Sequence, residues 1–240
     1  MPNTKITKEK LKNHWAYSKK VYILLTAVAV GLASIIYTMA NNHNPPDNQY
    51  VGIALVDSFS DTSRIERETD TLFKRTQAYD PNLKKLDFMG ITYSGSGNSE
   101  MDYYGAQIYT VQLAAGECDM FIQSSALTEE LKNGGSFVAL DTLPSFELFA
   151  AKYPGTYEWE TLSLKNANGE LAQLSEVLED VTETAPHVYS IDVSSLTGLI
   201  ENSVFDVRDK QAAILSRSAN PDTALYALYE MFELFAVSGT

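Results

Sequence analysis

Tyr50-Val-Gly-Ile-Ala-Leu-Val56 is apolar on both of its alternations. A strand with one wet face alternates apolar and polar residues, whereas one buried on both faces does not. The stretch therefore predicts a central strand with helices packed on either side of it. Downstream the chain keeps alternating. Asp61 or Thr62 caps a helix that runs to about Tyr79, with Ile65, Thr69, Leu72, Phe73 and Thr76 along its inner stripe. Leu83 to Thr92 reads as a second strand, residues 93–99 as a flexible loop, and Glu100 to Ala115 as a helix. Cys118 to Gln123 is a third strand. A helix over Ser125 to Lys132 follows, ended by Asn133-Gly134-Gly135. The predicted fold class is α/β, a mostly parallel sheet with flanking helices.

The second half is less regular. Phe137 to Asp141 is a short extended piece, and residues 143–157 mix helix signals with Pro144 and Pro154. Glu158 to Leu164 reads as a strand, residues 170–185 as one or two helical turns, and His187 to Val193 as a strand. Ser203 to Val207 and Gln211 to Ser216 read as paired extended pieces. Asn220-Pro221-Asp222 opens a last helix whose apolar positions are Leu225, Leu228, Tyr229, Phe232 and Phe235.

Ahead of the central strand, Val21 to Ala40 is twenty residues without a charge. As a helix it would be about 30 Å long, the thickness of a bilayer's hydrocarbon core. Tyr22 and Tyr37 stand near its ends, where amphipathic rings suit the interface. Lys5, Lys8, Lys10, Lys12, Lys19 and Lys20 precede it against one acid, Glu9, and the chain beyond it is acidic. The positive-inside rule then gives residues 1–20 as a cytoplasmic basic segment, 21–40 as a transmembrane helix, 41–49 as a linker and 50–240 as an extracellular domain. A cleaved signal peptide is the rival. Thr38-Met39-Ala40 makes a poor cleavage site, and the apolar run exceeds the usual length.

The 240 residues carry a formal net charge of -13, and the leading lysines leave the remainder more acidic still. That excludes nucleic acid as a partner, because its phosphates would repel the chain. Cys118 is the single cysteine, so no internal disulfide forms. Of the three histidines only His187 falls in the folded part; no Gly-x-Ser-x-Gly elbow is present, and Ser94-Gly95-Ser96-Gly97 lacks the lysine of a phosphate loop. Neither Asp57 with Asp61 nor the run Glu176, Glu179, Asp180 and Glu183 has calcium-loop spacing. The reading is therefore a non-enzyme without metal or cofactor.

In an open sheet, ligands bind beyond the carboxyl ends of the strands. The loops there carry hydroxyls and aromatics: Ser58 and Phe59 after the first strand, Tyr93, Ser94 and Ser96 after the second, Gln123 and Ser124 after the third. Tyr103 and Tyr104 open the following helix. These nine residues are the candidate small-ligand contacts, and ordinary turn and cap roles are the alternative.

Three stretches carry a resemblance: Leu113-Ala-Ala-Gly-Glu-Cys-Asp-Met-Phe-Ile122, Gly135-Ser-Phe-Val-Ala-Leu-Asp141, and Ala213 to Phe232 with its Asn220-Pro221 helix start. They resemble the extracellular solute-binding proteins of bacterial import systems. That resemblance implies a reduced type II periplasmic-binding-protein fold, with residues 142–186 as a diminished second lobe. It also implies capture of a small molecule without catalysis. A structural or assembly protein of the envelope, binding another protein through the same domain, is the alternative partner reading.

Overall fold

A computed structural model describes residues 7–41, 45–57, 59–95, 100–161 and 185–236. The chain forms two compact units, residues 1–44 and 45–240. The first contains one helix, α1 (Lys8–Asn41). It covers the stretch expected to cross a bilayer, but among the described residues no helix is long and apolar enough to cross a membrane. The side chains at 22, 27 and 35–41 lie outside that description.

The second unit runs β1 (Tyr50–Asp57), α2 (Glu66–Tyr79), β2 (Lys85–Thr92), α3 (Glu100–Ala115), β3 (Met120–Ser124), α4 (Ser125–Asn133), α5 (Phe146–Lys152), β4 (Ile191–Asp192), α6 (Thr197–Glu201), β5 (Lys210–Ile214) and α7 (Pro221–Phe235). The strand order is β2-β1-β3-β5-β4. β1 lies parallel to β2 and β3, whereas β5 runs antiparallel to both β3 and β4. The sheet is mixed, which corrects the expectation of a mostly parallel one. β4 and β5 are neighbours joined by residues 193–209, which carry only the five-residue α6, and the chain returns beside β4 antiparallel to it instead of crossing over the sheet.

Other expectations shift with it. Ser203 to Val207 does not pair with β5; within it Phe205 makes only an isolated bridge to Ser60. The strand expected over His187 to Val193 shrinks to the two residues of β4, and Glu160 meets His187 in a single bridge. Most of the presumed second lobe, residues 162–184, lies outside the described residues, as do the acidic run there and the helical turns expected near it.

Double-sided burial of β1 holds. Val51, Ile53 and Leu55 enter one core with α2 and α7, while Ala54 and Val56 enter another with Tyr109 of α3. The amino end of the sheet is locked by Asp119. Its carboxylate accepts the Gly52 N–H (2.9 Å) and the Ser218 hydroxyl (2.7 Å), and its own N–H donates to the Gly52 carbonyl (2.8 Å). Burial pushes this carboxyl above the ordinary carboxylate range, although its hydrogen bonds pull the other way. Close by, the Asn220 amide donates to the carbonyls of Asp47 (2.7 Å) and Tyr50 (3.0 Å), and Arg217 donates to that of Ala114 (2.8 Å).

The rotation of α3 is set by a glycine. A Cβ on Gly105 would stand 1.9 Å from the Thr92 carbonyl oxygen, so only glycine lets the helix approach β2 this closely. Gly105→Ala should cost about 1–3 kcal/mol, the usual penalty for overpacking, read as a shifted midpoint in urea followed by circular dichroism.

Candidate functional site

The carboxyl ends of β1, β2 and β3 point the same way, and the connections diverge between β1 and β3, where open sheets place their ligands. Here that position is spanned by the protein's own ion pair. Lys210 Nζ lies 3.3 Å from Asp57 Oδ2, both side chains are largely buried, and the ammonium sits 5.9 Å from the Phe205 ring centroid. Asp209, held at φ 54°, precedes this lysine; its carboxylate accepts the Ser125 hydroxyl (2.6 Å) and its carbonyl the Ser125 N–H. The turn thus aims Lys210 across the strand ends.

The expected contacts divide between this rim and the solvent. Ser94 donates from both N–H and hydroxyl to Asp102 Oδ1, at 2.6 and 3.0 Å. Tyr93 packs against Tyr109 with ring centroids 5.2 Å apart. Gln123 is fully buried and accepts the Tyr109 hydroxyl at 2.7 Å, leaving its amide nitrogen without a partner. Ser124 caps α4, its hydroxyl accepting the Leu127 N–H. Phe59, Tyr103 and Tyr104 are exposed, the two tyrosines edge to face at 5.9 Å. Ser58 and Ser96 lie outside the described residues. The structure therefore brings Tyr93 and Gln123 together around Tyr109, ties Ser94 to Asp102, and leaves the other aromatics facing water.

Three residues that the sequence reading passed over do this organising: Asp102, Tyr109 and Lys210. For the first two the signal was spacing. Asp102, Gly105, Tyr109 and Gln112 fall at i, i+3, i+7 and i+10, one stripe of a helix, and this polar stripe is the buried one. Asp102, Tyr109 and Gln112 are 5 %, 7 % and 9 % exposed, whereas Ile108 and Val111 are 50 % and 59 % exposed. Ile108 and Val111 thus face solvent, while Leu113 packs against the core beside Tyr109.

Two titratable groups bear on chemistry. Burial pushes the Cys118 thiol up to about 12, so it is no thiolate nucleophile at neutral pH. His187 Nδ1 lies 2.9 Å from Asp141 Oδ2, two members of a hydrolytic triad. Tyr189 stands edge to face with the ring at 6.2 Å, and the second Asp141 oxygen accepts the Val188 N–H at 3.0 Å. The pair pins residues 187–188 to the turn at Leu140–Thr142. Lys132 is buried beside it, bridging Glu129 and Glu160. Among the described residues no group of three His, Cys, Asp or Glu is placed to hold a metal ion.

A concavity lies elsewhere, beside the edge strand β2. It encloses about 1020 Å³ between β2 and the start of α2, with Leu86 and Phe88 on one wall and Ser63, Arg67 and Asp70 on the other. None of the seven expected contacts among the described residues lines it.

No protein-family model matches the chain, no curated protein matches it, and no solved structure matches its fold.

The Asp141–His187 contact has a pH signature. Burial alone would raise the Asp141 carboxyl, but the bonds from His187 and Val188 outweigh it and hold the group below its ordinary 3.8. A depressed carboxyl stabilises the fold above the unfolded value and loses that contribution as pH falls through the folded one. The melting-temperature gap between wild type and Asp141→Asn should be full above pH 3.8 and close below it.

Proposed function

We propose that the chain is a non-catalytic, membrane-anchored protein of the cell envelope whose α/β unit binds another protein. The observation that carries this is the exposed apolar face of α3. A surface helix ordinarily buries its aliphatic stripe and wets its polar one. Here Gly105 and the buried Asp102, Tyr109 and Gln112 fix another orientation, leaving Tyr104, Ile108 and Val111 exposed at i, i+4 and i+7. Residues 103–116 carry no charge although the chain is strongly acidic overall. An uncharged aromatic and aliphatic face on an acidic protein suits burial against a second protein surface.

Capture of a small solute at the strand ends is the weaker reading. Ser94, Gln123 and Ser124 spend their polar groups on Asp102, Tyr109 and the start of α4. Kinship with one lobe of a solute-binding protein remains a proposal, supported by the parallel β2-β1-β3 core and the strand-end geometry. The described residues form one sheet, so they offer no second sheet to close against.

The anchor would be residues 21–40, with the basic N-terminus in the cytoplasm and the acidic unit outside. Support comes from the charge-free sequence, the unbroken helical backbone of α1, and the exposure of Val21, Ile23, Leu24, Leu25, Val28 and Leu32 around it. A helix apolar on all sides is stable only where its surroundings are apolar too.

Two measurements test these readings. A photo-crosslinking amino acid at position 108 or 111 in growing cells should yield one protein adduct that Tyr104→Lys abolishes, with none from position 74 on the wet face of α2. Adducts of equal yield from position 74, or a small solute that raises the melting temperature while position 108 stays silent, would overturn protein binding. Alkaline carbonate should leave the full chain in the membrane pellet; release to the supernatant would remove the anchor.

A further inference from the structure

The free edge of β2 has a groove alongside it, and together they make a second surface, distinct from α3. β2 closes one end of the sheet order, and among the described residues no strand pairs with its outer side. The Lys84 N–H donates inward to the Gln49 carbonyl at 2.8 Å. The regular ladder begins only at Lys85: Gly52 turns its N–H and C=O toward Asp119, so those of Val51 face β2, and Val51, paired with Leu86, bonds the residues on either side of it. The backbone of Asp87 therefore points inward, and the N–H and C=O of Leu86 and Phe88 point outward, toward the groove that both help to line. The neighbouring wall is the first turns of α2, across an open trough of about 1020 Å³. An exposed strand edge beside a trough of this kind is the geometry by which an extended peptide adds itself to a sheet.

Charge selects the peptide. Arg64 is held by Asp61 at 2.9 Å, and Asp87 by Lys85 at 2.6 Å. Along the lining this leaves Glu66, Glu68 and Asp70 against Arg67, on a chain of net charge -13. Leu86 and Phe88 supply an apolar floor between them. We infer that β2 accepts an extended, lysine- or arginine-bearing segment of a partner protein as an added strand. Its backbone would pair with the outward N–H and C=O groups of Leu86 and Phe88, and the basic side chains on its groove side would reach Glu66 and Asp70. This rests on the reading that the partner is a protein, but it uses a different face.

The test uses the full chain in detergent micelles and a fluorescein-labelled octapeptide of alternating lysine and valine, followed by fluorescence anisotropy. Saturable binding is expected, at least tenfold weaker for the paired Glu66→Lys, Asp70→Lys variant and severalfold stronger for Arg67→Gln. Methylating alternate backbone nitrogens of the peptide should abolish binding, because it removes the strand hydrogen bonds and keeps every charge. Phe88→Pro should weaken binding likewise, since an edge strand tolerates proline at an outward N–H. Where that variant fails to fold, the methylated peptide decides alone. Ile108→Lys, which disables the α3 face, should leave peptide affinity unchanged, so failure of the one surface is separable from failure of the other. No saturable binding, equal affinity for the methylated peptide or for a glutamate–valine octapeptide, or loss of binding in Ile108→Lys would overturn the inference.

Discussion

The contact between Gly105 and the Thr92 carbonyl determines which side of α3 the molecule displays. Without a side chain at that position the helix settles against the end of β2, and the residues one turn to either side have no choice of direction. Asp102 then reaches Ser94 and Tyr109 reaches Gln123. Gln112 sits near Glu117 and Cys118, at 3.3 and 3.8 Å. Each of these bonds satisfies a polar group that burial would otherwise penalise by about 1–3 kcal/mol. Rotating the helix by half a turn would bury Ile108 and Val111, but it would leave those polar partners stranded and drive a Cβ into backbone. Polar pairing and the glycine contact together outweigh the hydrophobic gain.

This explains how far the sequence could be read. Lengths and order were legible through β3 and α4 because local signals agree there: the two-sided apolar run of β1, the Asp61 cap, whose side chain accepts the Ser63 N–H, and Gly116 at φ 71° closing α3. The direction of β5 was not legible. It depends on which strand Lys210 to Ile214 meets, and β3 lies far away in sequence. The candidate contacts failed in a different way. Hydroxyls at strand ends serve equally as ligands and as caps, and only the tertiary positions of Asp102 and Leu127 decide between the two. The trough beside β2 belongs to no motif at all, since its walls come from an edge strand and the next helix back along the chain.

The sequence holds fourteen tyrosines, more than a core needs. Many of these rings join helices rather than face outward. Tyr79 of α2 stacks on Tyr226 of α7 at 4.0 Å and within 6° of parallel. Tyr226 then meets Tyr229, Tyr229 meets Tyr153, and Tyr153 meets Phe149 and Phe232. Burial pushes the Tyr79 and Tyr226 phenols up to about 12, and Asp222 and Glu230 accept their hydroxyls. A chain of rings with polar tips can thus cover one face of the sheet and remain compatible with water along its outer rim.

The grip of Asn220 on the carbonyls of Asp47 and Tyr50 has a mechanical corollary. Any pull on the chain ahead of residue 45 enters the unit at the amino end of β1, the strand flanked by parallel neighbours on both sides. Such a load acts along the strand, in shear, and meets two ladders of hydrogen bonds at once instead of unzipping one edge. The Asn220 amide would be the first element to feel tension, passing part of it into α7 before the sheet yields.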